Sequence, residues 1–294
     1  MKFLIIARPF NHASMGVVAL YKLAETLKKI GEEAEVLMFE GDGRTVNWVS
    51  ESSSLESIKM YAEECIRNGV VVYPEIIFGN PLGARRVVRY MLNKEGHLKG
   101  WGMDSAPDDF ILTHSASFCD RYHCEVLLPP QISSASELKR DSLEANKGGL
   151  VLTYVGKGVK FGKTFIPSGS VEVTRQWPSS REQFLTLLSN ARYLVSYDPV
   201  SSVNVEAAIL GAIPLVFVSD GEFIPSAPEF PYFVLSRYLG NKLTLGDLPN
   251  LCAEVDFVTY REMLLGKLAL FAEDYRQKVS SFVELARSHW MDLK

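Results

Sequence analysis

Two carboxylates, Asp198 and Glu206, with seven residues between them, stand in the stretch SYDPVSSVNVEAAILGAIPLVFV, residues 196–218. Side-chain carboxylates accept hydrogen bonds from sugar hydroxyls. Between the two acids lie Ser201, Ser202 and Asn204, residue types that begin helices. Free N–H groups at Ser202 to Asn204, with the dipole of the helix behind them, would favour a phosphate. A diphosphate cradle beside hydroxyl acceptors is what a nucleotide-sugar requires. A second candidate cradle is Gly156-Lys157-Gly158. Two glycines admit a phosphate close to the backbone and a lysine neutralises it. Lys160 and Lys163 could replace Lys157 in that contact. Arg175 could pair with phosphate, and Trp177 could border a base or simply pack.

Regular elements must hold these residues in place. Residues 192–197 read as a strand that ends at Asp198. A turn through Asp198-Pro199 leads to a serine cap and a helix running to Leu210. Gly211 suits a left-handed helix stop, and a strand begins at Ile213. Upstream, 149–155 reads as a buried strand, 171–174 as a short one, and 181–190 as a helix capped by Ser179 or Ser180. Ligands of open parallel sheets bind at the carboxyl ends of strands, where Asp198 and Gly156 fall.

The first half opens with a strand at 2–7, a loop RPFNHASM, a helix at 16–30 and a strand at 34–39, a βαβ pattern that implies a parallel sheet. Residues 41–54 read as polar and turn-rich, 55–68 as a helix and 70–74 as a strand. Pro81 is placed to open a helix over 82–93. From Arg85 to Lys99 five cations, Arg89 among them, face one acid, a local charge of +4. Such a segment is either a solvated helix face or a basic patch for an anionic acceptor. Residues 109–114 and 124–127 read as strands. The polar, proline-bearing stretch 129–149 suits a linker, which divides the chain into domains 1–147 and 148–294. The strongly helical end is placed to pack back on the first domain.

Composition narrows the classes. With 294 residues, two domains of ordinary size are expected, and 47% hydrophobic with 22% charged residues is ordinary for a globular protein. A net charge of -4 and a pI near 5.8 argue against nucleic-acid binding. The four cysteines match no zinc spacing and read as buried thiols. No apolar run reaches the ~18 residues of a membrane span, and no leader is visible, so a cytoplasmic protein is expected, with peripheral contact at the inner face of a membrane left open.

The stretch with Asp198, Glu206, Ala207, Gly211, Pro214 and Leu215 resembles the donor-binding motif of GT-B glycosyltransferases, with Asp at the usual first Glu. The likeness is specific from about 150 to 218. It implies an α/β fold of two Rossmann-like parallel-sheet lobes facing a cleft. The first lobe would serve the acceptor and the second the nucleotide-sugar. It further implies transfer of a sugar to a glycan hydroxyl, in bacterial surface-polysaccharide assembly, without a cofactor or a metal; no DxD motif is apparent. By the same resemblance Glu206 holds the donor ribose, Asp198 lies near the sugar or diphosphate, and Gly156, Lys157, Gly158, Arg175, Ser201, Ser202 and Asn204 surround the donor. His12 would be the base if the reaction inverts configuration. Arg8 and Asn11, with Arg85 and Arg89, fall on the acceptor side, facing a glycan or lipid-linked acceptor. The rival readings are a sugar-nucleotide epimerase of the same architecture and a silent partner subunit.

Overall fold

The computed structural model describes residues 1–11, 14–49, 55–97, 100, 102–119, 125–127, 149–156, 166–174, 176–199, 201–217, 233–234, 244–252 and 257–291. Two compact units divide the chain: Met1–Pro130 with Phe271–Lys294, and Gln131–Leu270.

The first unit contains β1 (Lys2–Ala7), α1 (Met15–Lys29), β2 (Glu33–Gly41), β3 (Val46–Val49), α2 (Leu55–Asn68), β4 (Val70–Pro74), β5 (Val87–Met91), β6 (Phe110–Thr113) and β7 (Glu125–Val126). Its sheet has the order β3-β2-β1-β4-β5-β6-β7. Only the β2–β3 pair is antiparallel. Successive side chains of a strand point to opposite faces. Phe3, Ile5 and Ala7 of β1 accordingly pack on α1 and on Tyr275, Val279, Phe282 and Trp290 of the long helix α6 (Phe257–Met291). Leu4 and Ile6 pack on the other face, against Ala62 and Cys65 of α2. Burial on both faces explains why β1 is apolar from Phe3 to Ala7.

Two expectations for this half fail. Residues 46–49 form a strand where a loop is expected. Val46, Trp48 and Val49 are strand formers, and Gly41 and Gly43, at φ 120° and 99°, let the chain turn back on β2. The Asp42 carboxylate secures that turn by accepting from the Arg44 and Thr45 N–H groups. The expected helix over 82–93 is absent. Gly79 and Gly83, both at positive φ, keep the chain in a loop, and the β-branched and aromatic residues of β5 pair between β4 and β6. The cysteines are also mixed. Cys65 and Cys252 are free thiols, with burial pushing Cys65 up to about 11, whereas Cys119 is disulfide-bonded.

The second unit contains β8 (Val151–Tyr154), β9 (Val171–Val173), α3 (Arg181–Asn190), β10 (Tyr193–Ser196), α4 (Ser202–Ile209), β11 (Ile213–Val216), β12 (Phe233–Val234), α5 (Leu248–Leu251) and the opening turns of α6. Every pair in its sheet, β12-β11-β10-β8-β9, is parallel. From β8 the chain moves outward to β9, then crosses to the opposite side of β8 to lay down β10. The strand order therefore reverses between β8 and β10. Helix α4 is buried on two sides. Ala207 meets Leu152 and Leu194 of the sheet, while Val205, Ala208 and Ile209 meet Leu264 of α6. The Arg261 guanidinium donates twice to the Ile209 carbonyl, at 2.9 and 2.8 Å, a cation at the negative end of α4.

Candidate functional site

In an open parallel sheet the crevice forms where the strand order reverses, at the carboxyl ends of the two diverging strands. In the second unit those ends are Val155-Gly156 after β8 and Tyr197-Asp198 after β10. The Tyr197 N–H donates to the Tyr154 carbonyl at 2.9 Å, so the two chains leave the sheet together. Gly156 has φ 52°. A Cβ there would lie 2.5 Å from Tyr154 Cε1 and 2.6 Å from Asp198 Oδ2. Both the backbone angle and the space demand glycine, because the Asp198 carboxylate lies directly over that position. Asp198 is 1% exposed. Its N–H donates to Ser196 Oγ at 3.3 Å, and its carbonyl accepts from Asn204 Nδ2 at 2.9 Å. The Ser201 N–H also donates to that carbonyl. The turn between strand and helix is thus tied down from three directions.

Ser201 is the N-cap of α4, its Oγ accepting from the Val203 N–H at 3.3 Å. The Asn204 N–H donates to the Ser201 carbonyl. Two of the three N–H groups expected to meet a phosphate are therefore engaged within the cap. Among the described residues nothing engages the Ser202 N–H. Asn204 Oδ1 is buried with no hydrogen-bond partner among the described residues, which leaves an acceptor beside the same turn.

Glu206 lies in the second turn of α4 and is 1% exposed. Its Oε2 accepts from Arg181 Nη1 at 2.8 Å. Burial raises the carboxyl above its usual value, and the Arg181 guanidinium offsets only part of that rise. Arg181 is the first residue of α3, which Ser180 caps by accepting from the Gln183 N–H. Its guanidinium lies over the Phe184 ring at 5.5 Å. The sequence offered no sign of this pair: partners 25 residues apart on different helices share no periodicity. Thr174 follows β9 at the same edge of the sheet, and its Oγ1 accepts from the Gln176 and Trp177 N–H groups. Trp177 is 47% exposed. His12, Lys157, Gly158, Lys160, Lys163 and Arg175 lie outside the described residues.

The first unit has its own reversal, between β1 and β4. Arg8 follows β1; its Nη2 donates to the Gly41 carbonyl at 2.6 Å, and the guanidinium lies over Phe39 at 5.4 Å. Asn11 is exposed, and its carbonyl accepts from the Ser14 N–H. Glu75 follows β4, buried, and accepts from the Leu92 N–H at 3.1 Å. His114 follows β6, buried and stacked on Phe118 at 6.4 Å. Sequence reasoning passed over both; a histidine ending the apolar run FILT was the available signal for His114. The basic patch needs correction. Arg85 is exposed, but Arg89 is 1% exposed in the middle of β5. Its Nε donates to Asp109 Oδ2 at 2.7 Å, so its charge is neutralised inside the unit and does not face solvent.

Among the described residues no three His, Cys, Asp or Glu side chains gather as a metal site, and no helix is long and apolar enough to cross a membrane. The two units, each a mainly parallel sheet flanked by helices, have the GT-B fold. Solved structures at 11% and 13% identity share it. One is WaaG, a glycosyltransferase involved in lipopolysaccharide biosynthesis, with a TM-score of 0.53 over 97% of this chain and 99% of that one. Another is the spinosyn forosaminyltransferase SpnP, with a TM-score of 0.52 over 98% of this chain and 99% of that one. No family model and no curated protein matches the sequence.

Proposed function

We infer that the chain is a glycosyltransferase that moves a sugar from a nucleotide-sugar to a hydroxyl of a glycan. The observation that carries this reading is the Gly156–Asp198 contact at the β8/β10 reversal, with the Ser201-capped helix α4 behind it. At Gly156 the positive φ and the closeness of Asp198 Oδ2 and the Tyr154 ring exclude a side chain, so the turn after β8 lies directly against the acid at the head of the crevice. The start of α4 contributes the positive end of a helix dipole. Glu206 supplies carboxylate oxygens for ribose hydroxyls, and Asp198 faces the positive charge that grows on the sugar as its bond to the diphosphate breaks. The acceptor oxygen forms the new glycosidic bond, and its proton leaves with the nucleoside diphosphate. Such chemistry can proceed without a metal, since helix ends and basic side chains carry the diphosphate charge. The paired acids favour retention of configuration. The similar structure that serves lipopolysaccharide assembly supports a bacterial surface glycan as acceptor.

The test is thermal stability with UDP, GDP, ADP, CMP and dTDP, with and without magnesium, in wild type and Glu206→Ala. A ligand that binds only the folded protein raises the melting temperature. One nucleotide should do so without magnesium, and Glu206→Ala should abolish the shift. A folded wild-type sample that responds to none of them would leave the silent-subunit reading in its place.

A further inference from the structure

Helix α4 carries a single charged residue, Glu206, and Asn204 to Ile209 are all buried. A lone carboxylate in such surroundings takes up a proton, and a neutral carboxyl group is a poor acceptor for sugar hydroxyls. The surrounding elements offer few countercharges. Helix α3 brings Arg181 to Glu206 Oε2 at 2.8 Å, while its other early charge, Glu182, is exposed. Helix α6 brings Arg261, but to the Ile209 carbonyl. The sheet edge brings Asp198, a second acid. Arg181 is therefore the cation that answers Glu206 among the described residues. It is held by a capped helix start below and the Phe184 ring beside it. Its own side chain is 36% exposed, so the cation keeps part of its water while the acid keeps almost none.

We propose that Arg181 is a positioning residue of the donor site, holding the buried Glu206 as an oriented carboxylate whose Oε1 accepts a hydroxyl of the nucleotide-sugar. This rests on the reading of the site as a donor site. Arg181 engages Oε2 and fixes the plane of the carboxylate. Oε1 then presents its lone pairs in one direction, and a ribose hydroxyl donates to it.

The experiment uses the full chain as wild type, Arg181→Met, Arg181→Lys and Glu206→Gln. Urea unfolding and calorimetric titration with UDP, GDP, ADP and dTDP are each followed from about pH 5 to about pH 8. In Arg181→Met the stability lost with rising pH should extend to higher pH than in wild type. Arg181→Lys should restore the wild-type window, and Glu206→Gln should remove that slope. The tightest nucleotide should bind Arg181→Met about tenfold more weakly near the acid end, the scale of a lost charge-assisted hydrogen bond, with the gap closing as pH rises. An unchanged window in Arg181→Met, or an affinity loss equal at every pH, overturns the proposal. If Arg181→Met does not fold, Arg181→Lys and Glu206→Gln still decide it, since a wild-type slope that survives in Glu206→Gln belongs to another group and overturns it. Nucleotides that bind none of these proteins overturn the donor reading, whereas the urea profiles report separately whether Arg181 sets the charge on Glu206.

Discussion

Each unit holds an arginine–carboxylate pair, and the two are built differently. In the first unit Arg89 and Asp109 are 1% and 6% exposed, with the guanidinium over Tyr73 at 5.2 Å. Asp109 also accepts from the Ala106 N–H. Both partners are sealed inside the sheet and its flanking loop. In the second unit the acid is sealed and the cation is not: Glu206 is 2% exposed by side chain and Arg181 36%. A pair closed at both ends serves the fold, since removing either partner strands a charge. A pair open at one end can change partners at the surface while its acid stays in place. That arrangement suits a site that must receive a ligand.

The contrast yields measurable differences. Arg89→Met should destabilise the protein most, by about 3–5 kcal/mol in urea unfolding, because Asp109 is left buried without its cation. Gly156→Ala should follow, at about 2 kcal/mol, from a strained positive φ and a methyl group pressed on Tyr154 and Asp198. Nucleotide binding in that variant should fall further than its stability does, as calorimetry would show. Ser201→Ala removes the cap of α4 and should lower stability by about 1 kcal/mol in the same unfolding assay. Arg181→Met should have the smallest effect near the acid end of the range, below about 1 kcal/mol, since a half-open pair is weak and a buried carboxyl that loses its cation can take up a proton instead of stranding a charge. A loss as large as that of Arg89→Met would show the two pairs to be equivalent. The pH dependence has a definite sign. Because the folded-state value of Glu206 is raised, its stabilising contribution is complete below the ordinary carboxylate range and is lost as pH rises through the raised value. Glu206→Gln should flatten that part of the profile.

The stretch from β10 to β11 was legible because local rules agree along it: a strand, a serine cap, small helix-forming residues, a glycine at φ 83° and a second strand. What could not be read there was pairing. Arg181 and Glu206 meet through the tertiary packing of α3 on α4, and no spacing rule links them. Arg89 was misjudged for the same reason: a count of charges over a window cannot see Asp109, twenty residues on, closing over it. The helix expected around it failed because Val87-Val88-Arg89-Tyr90-Met91 carries no period. An apolar run broken by one charge reads as helix or strand alike until neighbouring strands claim it.

The long helix α6 has a consequence for how the protein is made. Tyr275, Val279, Phe282, Val283, Ala286 and Trp290 complete the core that covers one face of the first sheet, with Phe282 lying 5.9 Å from Phe3 by ring centroid. Arg287 likewise pairs with Glu32. A ribosome emits β1 and α1 early and these partners only after the whole second sheet. Folding that follows emergence must therefore leave an apolar wall of the first unit uncovered while the second is completed. The first-made strands are therefore among the last to be sealed.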